Sequence, residues 1–377
     1  MTDRERIVAI YRVRCEETQI EARARALAAE QSVEMPLHAV RSAWVRDEIV
    51  GRVDSIDATD DGWRVSLSLS PRTVGSDPGQ LLNMLFGNSS LQPDVELIDA
   101  RLPDSLVAAL PGPAFGIDGL RELVGASGRA LTCTALKPQG LPPSELAELA
   151  YVFARAGIDL IKDDHGIADQ EYSRFDERVA LIQDAVQRAN RETGGRSAYA
   201  PSLSGGPTRL ADQLRSAHRA GVRCVLACPM LLGVGAFAEL VRGHGGLAIL
   251  AHPALAGASR IAPALLLGRL FRLFGADATI FPNFGGRFSY SRETCREIAQ
   301  AAREPLGGHR PALPVPAGGM SVERVDEMLG EFGSAVMLLI GGNLLEAGDA
   351  MPQRAREFVA RVRAAGDAAP RAGRTAP

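Results

Sequence analysis

Four consecutive residues, Lys162-Asp163-Asp164-His165, place an amine, two carboxylates and an imidazole together at the end of the apolar run 158–162. Asp and His are ligands for divalent cations, although imidazole is an unusual partner for magnesium. A lysine in such company can serve as a base with a lowered pKa, or take up CO2 as a carbamate that supplies oxygen ligands. The bland alternative is a solvated, salt-bridged loop, and the core-like Asp159-Leu160-Ile161 immediately before the cluster weighs against it. Other polar residues also follow short apolar runs: Lys137-Pro138-Gln139, Ser202 and Ser204, Cys228, His252, Asn283 with Arg287, Gly318-Gly319 and Gly341-Gly342. Glycine pairs let backbone N–H groups approach an anion closely, which makes the last two a candidate phosphate corner; glycines that merely permit tight turns are the alternative. For His252 the alternative is a core histidine at a strand end.

The elements that must position these groups are legible as a repeat. Apolar runs at 130–136, 158–162, 197–203, 222–228, 247–251, 277–281, 313–317 and 335–340 alternate with amphipathic helical segments such as 143–156, 176–191, 207–219 and 321–331. Strand–helix alternation of this kind gives a doubly wound sheet or a closed barrel, and eight strands favour the barrel. Barrel enzymes build their sites at the C-terminal strand ends, so one mouth would collect all the residues named above. Upstream, a strand at 7–14, a helix at 17–30 and a hairpin at 49–56 and 63–69 suggest an α+β module of the ferredoxin-like kind, followed by loop-rich sequence over 93–116. The predicted organisation is an N-terminal α+β domain over 1–125, a (β/α)8 barrel over 126–365 and a disordered tail over 366–377.

Composition narrows the function classes. A net charge of −3 gives no field to hold nucleic acid or an anionic membrane, and no apolar stretch is long enough to span a bilayer. The N-terminus lacks a signal-peptide core, and five scattered cysteines without zinc-type spacing read as reduced thiols, so a cytoplasmic protein is expected.

The segment LTCTALKPQGLPPSELAELAYVFARAGIDLIKDDHGIADQ resembles the signature of the RuBisCO superfamily, in which T-x-K-P-K ends the first barrel strand and G-x-D-x-x-K-D-D-E the second. The resemblance extends over most of the chain. AAEQS (28–32) is similar to the family's A-A-E-S-S and marks Glu30; Phe86-Gly87-Asn88 is similar to V-G-N and marks Asn88. GLAILAHPALAG (246–257) matches His252 to the catalytic-site histidine, and LPVPAGGM and IGGN carry Gly318, Gly319, Gly341 and Gly342 in the phosphate-binding places. The resemblance implies a homodimer or higher homo-oligomer, with Glu30 and Asn88 supplied by the partner subunit and no small subunit. It also implies Mg2+ or another divalent metal on a carbamylated Lys162, Asp164 and His165, with Lys137, Lys162 and His252 as catalytic groups.

Departures from the carboxylase pattern fall on chemistry. Gln139 stands for a second lysine, His165 for the metal-binding glutamate, Pro253 for a phosphate-binding arginine and Ala256 for a histidine. TIFPNFGG lacks the strand-six histidines, Arg287 takes the place of the mobile lysine, Ala317 that of a serine, and Met35-Pro36 that of T-W. One phosphate corner survives and the other is dismantled, so the expected enzyme is a RuBisCO-like protein that does not fix CO2. It would carry out enediolate or carbanion chemistry on a mono-phosphorylated keto-sugar or keto-sugar acid, with Gln139 and Arg287 among the substrate contacts. The first expectation is a decarboxylase or transcarboxylase/hydrolase of the 3-oxo-isoapionate-4-phosphate type. The alternatives are a methionine-salvage enolase or isomerase, and a non-catalytic sugar-phosphate-binding regulator.

Overall fold

A computed structural model of the protein describes residues 6–243, 245–288 and 290–368. The N-terminal part runs β1 (Ile7–Val13), a helix Ile20–Glu30, β2 (Arg52–Thr59), β3 (Gly62–Leu69), a helix Pro78–Phe86 and β4 (Val95–Arg101). Its strands form an antiparallel sheet in the order β2-β3-β1-β4, the arrangement of a ferredoxin-like βαββαβ unit. Residues 93–116, expected as loop, in fact contain β4 and a short helix, Asp104–Ala109. The register of β4 against β1 shifts between Ile10 and Tyr11. Along β4 the buried residues are Val95, Leu97 and Ala100, so a bulge breaks the alternation that would have disclosed a strand.

Eight parallel strands follow: β5 (Leu131–Leu136), β6 (Leu160–Asp163), β7 (Ala198–Ala200), β8 (Cys224–Ala227), β9 (Ala248–Ala251), β10 (Ala278–Pro282), β11 (Leu313–Ala317) and β12 (Met337–Leu339). They are ordered β7-β6-β5-β12-β11-β10-β9-β8. The two ends meet through the Leu226 amide, 2.8 Å from Pro201 O, and the Leu203 amide, 2.8 Å from Leu226 O, which closes the barrel.

Strand periodicity divides the barrel core in two. Leu131, Cys133, Leu160, Ala198, Ala200, Leu226, Leu250, Ile280, Val315 and Met337 fill the interior. Ile161, Tyr199, Val225, Ile249 and Phe281 pack outward against the helices. Helix Gly116–Val124 turns Ile117, Leu120, Leu123 and Val124 into the interior cluster, forming a floor below the strands. Asp277 fixes that floor, accepting from the Phe115 and Gly116 amides at 2.6 and 2.8 Å and from Ile249 N at 2.8 Å.

The last helix, Met351–Ala368, includes the first residues of the expected tail; positions 369–377 lie outside the described residues. All five cysteines are free, and only Cys15 is not buried. Among the described residues no helix is long and apolar enough to cross a membrane.

Candidate active site

Alternation along β6 sorts the Lys-Asp-Asp-His cluster. Leu160 belongs to the barrel interior, so Lys162 and Asp164 point the same way, into the mouth, while Ile161 and Asp163 face the surrounding helices. Asp163, fully buried, is 3.2 Å from Arg178 Nε and accepts from Tyr199 OH at 2.8 Å and Ser202 N at 3.0 Å. That carboxylate belongs to the scaffold.

Lys162 is 3% exposed, and its Nζ donates to the Asp163 carbonyl at 3.0 Å. Burial lowers its pKa, and the Lys137 charge adds to this against the opposing pull of Asp164. Lys137, carried past the end of β5, pairs with Asp164 Oδ1 at 2.6 Å. Burial alone would raise the Asp164 pKa, but the neighbouring His165 ring, the paired Lys137 ammonium and the charge of Lys162 outweigh it and hold the carboxyl well below its usual range.

His252 leaves β9, and its Nδ1 accepts from the Ala254 amide at 3.1 Å. Its ring stacks on His165 with centroids 4.1 Å apart and planes 12° apart. Burial, reinforced by the charges of Lys162 and His165, pushes the His252 pKa down to about 2. The ring is therefore neutral, with Nδ1 an acceptor and its proton on Nε2.

The glycine corner touches this cluster. A Cβ on Gly341 would lie 3.9 Å from Lys137 Cε, so the turn after β12 borders the lysine. After β11, Gly318 and Gly319 have φ of 81° and 65°, and a Cβ on Gly319 would overlap the backbone of Gly286. Arg324, not foreseen from sequence, braces this turn: its Nη1 donates to Gly319 O at 2.7 Å and Phe284 O at 3.3 Å. Gly342 opens the short helix Gly342–Leu345.

Several expected residues lie elsewhere. Asn283 is turned away from the mouth, with its amide nitrogen 3.1 Å from the sulfurs of Met320 and Met328. Arg287 is exposed on the rim, its guanidinium 5.4 Å over the Phe288 ring. Gln139, although exposed, stays beside the cluster: its amide occupies the space that a side chain on Gly166, the residue after His165, would need. Glu30, at the end of its helix, and Asn88 are bonded to each other within the N-terminal part of the chain: Asn88 Nδ2 donates to Glu30 Oε1 at 3.0 Å and to Glu34 Oε1 at 2.7 Å. Glu34, at φ 52°, carried no signal in sequence. Cys228, expected as a reduced thiol at a strand end, carries no signal in sequence that it joins the cluster. The register Cys224-Leu226-Cys228 turns it inward, and its thiol, pushed up to about 11 by burial, feels the charges of both Lys162 and Asp164.

Asp164 and His165 could offer two metal donors, and among the described residues no three His, Cys, Asp or Glu side chains are placed to hold an ion. The donor set fits a divalent metal only when Lys162 carries a carbamate, which would convert a competing cation into the missing oxygen ligand.

Residues 116–242 match the family model described as the ribulose bisphosphate carboxylase large chain, catalytic domain. A 5-methylthioribulose-1-phosphate isomerase of Rhodospirillum rubrum is 54% identical over 364 residues, 96% of this chain and 97% of the relative. Ribulose bisphosphate carboxylase-like protein 1 of Rhodopseudomonas palustris is 52% identical, with 95% and 98% covered. The crystal structure of a Rubisco-like protein from Rhodopseudomonas palustris superposes with a TM-score of 0.89 at 49% identity, covering 95% of this chain and 98% of that one.

Proposed function

Since the chain belongs to the RuBisCO-like proteins of the RuBisCO superfamily, we propose that it is an isomerase of a phosphorylated ketose, of the 5-methylthioribulose-1-phosphate kind. The observation that carries this reading is the 54% identity, over nearly the whole of both chains, to a relative bearing that activity in its name. The decarboxylase or transcarboxylase/hydrolase expectation yields to the isomerase alternative on this ground. Substitution of Gln139, His165 and Pro253 for the carboxylase residues continues to argue against CO2 fixation.

A 2-ketose 1-phosphate carries acidic protons on the carbons flanking its carbonyl. Isomerisation removes one of them to give an enediolate and returns a proton to a different carbon. In this site His252 presents its Nε2–H as a neutral hydrogen-bond donor to the oxygen that gains charge. Lys137, bordering the glycine turn after β12, stands where a phosphate held by Gly318, Gly319, Gly341 and Gly342 would meet the reacting carbons. Burial drives Lys162 toward a neutral amine, a form that can accept a proton or react with CO2. A divalent ion, held by carbamylated Lys162, Asp164 and His165, would stabilise negative charge on the carbonyl oxygen. Glu30 and Asn88 complete the site from a second copy of the chain, which makes a homo-oligomer the working unit.

Incubating the protein with 5-methylthioribulose 1-phosphate in D2O and following the products by NMR tests the assignment. Turnover with exchange at a carbon beside the carbonyl is expected. No turnover of this substrate, together with CO2 release from 3-oxo-isoapionate 4-phosphate, would sink it. Repeating the assay with chelator and without CO2 separates the two uses of the Lys162 amine: retained activity assigns it as the base, and loss restored by Mg2+ and bicarbonate assigns the carbamate.

A further inference from the structure

The loop that leaves His252 is fastened to the N-terminal sheet. Leu97 on β4 forms a parallel bridge with Ile261; its amide donates to Arg260 O at 3.0 Å and its carbonyl accepts from Ala262 N at 2.9 Å. The Arg260 side chain extends the joint. Its Nε donates to Val95 O at 3.0 Å, and its Nη2 donates to Gln92 O at 2.8 Å and to Ser90 O. These three carbonyls lie on the segment that begins at Asn88. From the other side Arg23, on the helix that ends at Glu30, grips the same segment through Gln92 Oε1 at 2.8 Å and Asp94 Oδ2 at 2.8 Å. A guanidinium can serve several carbonyls at once because its donors diverge in a rigid plane; an ammonium on a flexible stem cannot hold the same set.

We infer that Arg260 is a positioning residue for two active sites at once: it sets the His252 loop in its own barrel and, through residues 88–95, the Asn88–Glu30 pair offered to the partner's barrel. The inference rests on the shared-site reading under Proposed function. Its physical basis is that small displacements of a substrate-positioning group can cost up to about a hundredfold in rate.

Mixed dimers test it. Pairing an Asn88→Ala subunit with a Lys162→Ala subunit leaves one complete site, built from the barrel of the first and the N-terminal residues of the second. Arg260→Ala is then added to one subunit or the other. In the Asn88→Ala subunit it can act only through the His252 loop, and in the Lys162→Ala subunit only through residues 88–95. We expect kcat of the complete site to fall about tenfold in both placements, with each mixed dimer keeping its circular dichroism and melting temperature. Should Arg260→Ala not fold, Arg260→Lys, which keeps the charge but not the fork, replaces it. A loss in only one placement overturns the two-site role. If the unmodified pair shows no complementation at all, the shared-site reading falls and takes the inference with it.

Discussion

On the outer face of β6, Asp163 accepts hydrogen bonds from Arg178, Tyr199 and the Ser202 amide; on the inner face, Asp164 meets Lys137 and, at 3.6 Å, His165. Among the described residues the neighbouring Lys162 makes one hydrogen bond, to a backbone carbonyl, although even a neutral amine has more than one N–H to give. Adjacent carboxylates of the same type thus live under different rules. The outer one is committed to holding a helix against the barrel. The inner set keeps hydrogen-bonding capacity to spare, which is what the proposed catalytic role requires of it.

Substitutions can break this contrast. Lys162→Met should lower kcat by about a thousandfold or more, the scale of losing a positioned base or metal ligand, while leaving the melting temperature unchanged or higher because a buried polar amine is replaced by an apolar side chain. Steady-state kinetics alongside calorimetry checks both halves. Arg178→Met should show the reverse, costing about 3–5 kcal/mol of stability by stranding Asp163, with near-normal activity per folded molecule. Adding Asp163→Leu to Arg178→Met should recover part of that loss in denaturant titrations. If Arg178→Met instead remained stable and lost activity, the two faces would not be separable. Arg324→Ala should raise KM for the phosphorylated substrate several-fold with a smaller change in kcat, since it loosens the Gly319 turn by about one or two hydrogen bonds. At the small end, Glu323→Ala removes an exposed ion pair with Arg354 and should shift stability by less than about 1 kcal/mol.

Much of this was legible in the sequence because period-2 alternation and turn glycines are local signals. β1 to β3 declare themselves that way, the eight barrel strands as short apolar runs between amphipathic helices, and the cluster at the end of β6 by four reactive side chains in a row. β4 did not, since a bulge and flanking prolines mask its pattern. Residues 366–368, expected to be disordered, instead continue a helix. At the candidate site, the convergence of Lys137, Lys162, Asp164 and His252 on one mouth was readable, but the contacts each makes there were not. The stacking of His165 on His252, the inward turn of Cys228, and the braces Arg324 and Arg260 depend on contacts between segments far apart in the chain. Asn283 shows the converse: position at a strand end does not decide which way a side chain turns, and burial against Met320 and Met328 turned it away.

The seam between β5 and β12 has a consequence for how the molecule is made. Met337 pairs with Leu131, and Thr134 Oγ1 reaches Ile340 O across 206 residues of sequence. During vectorial synthesis β5 therefore emerges with one edge unpaired and waits for nearly the whole barrel before its neighbour exists. Parallel pairings at such separation form slowly, and an open edge of this kind invites pairing with other chains. Closure of that seam should be the late event in folding, and a ribosome-bound chain halted before residue 337 should be protease-sensitive along β5 while the N-terminal sheet is already protected.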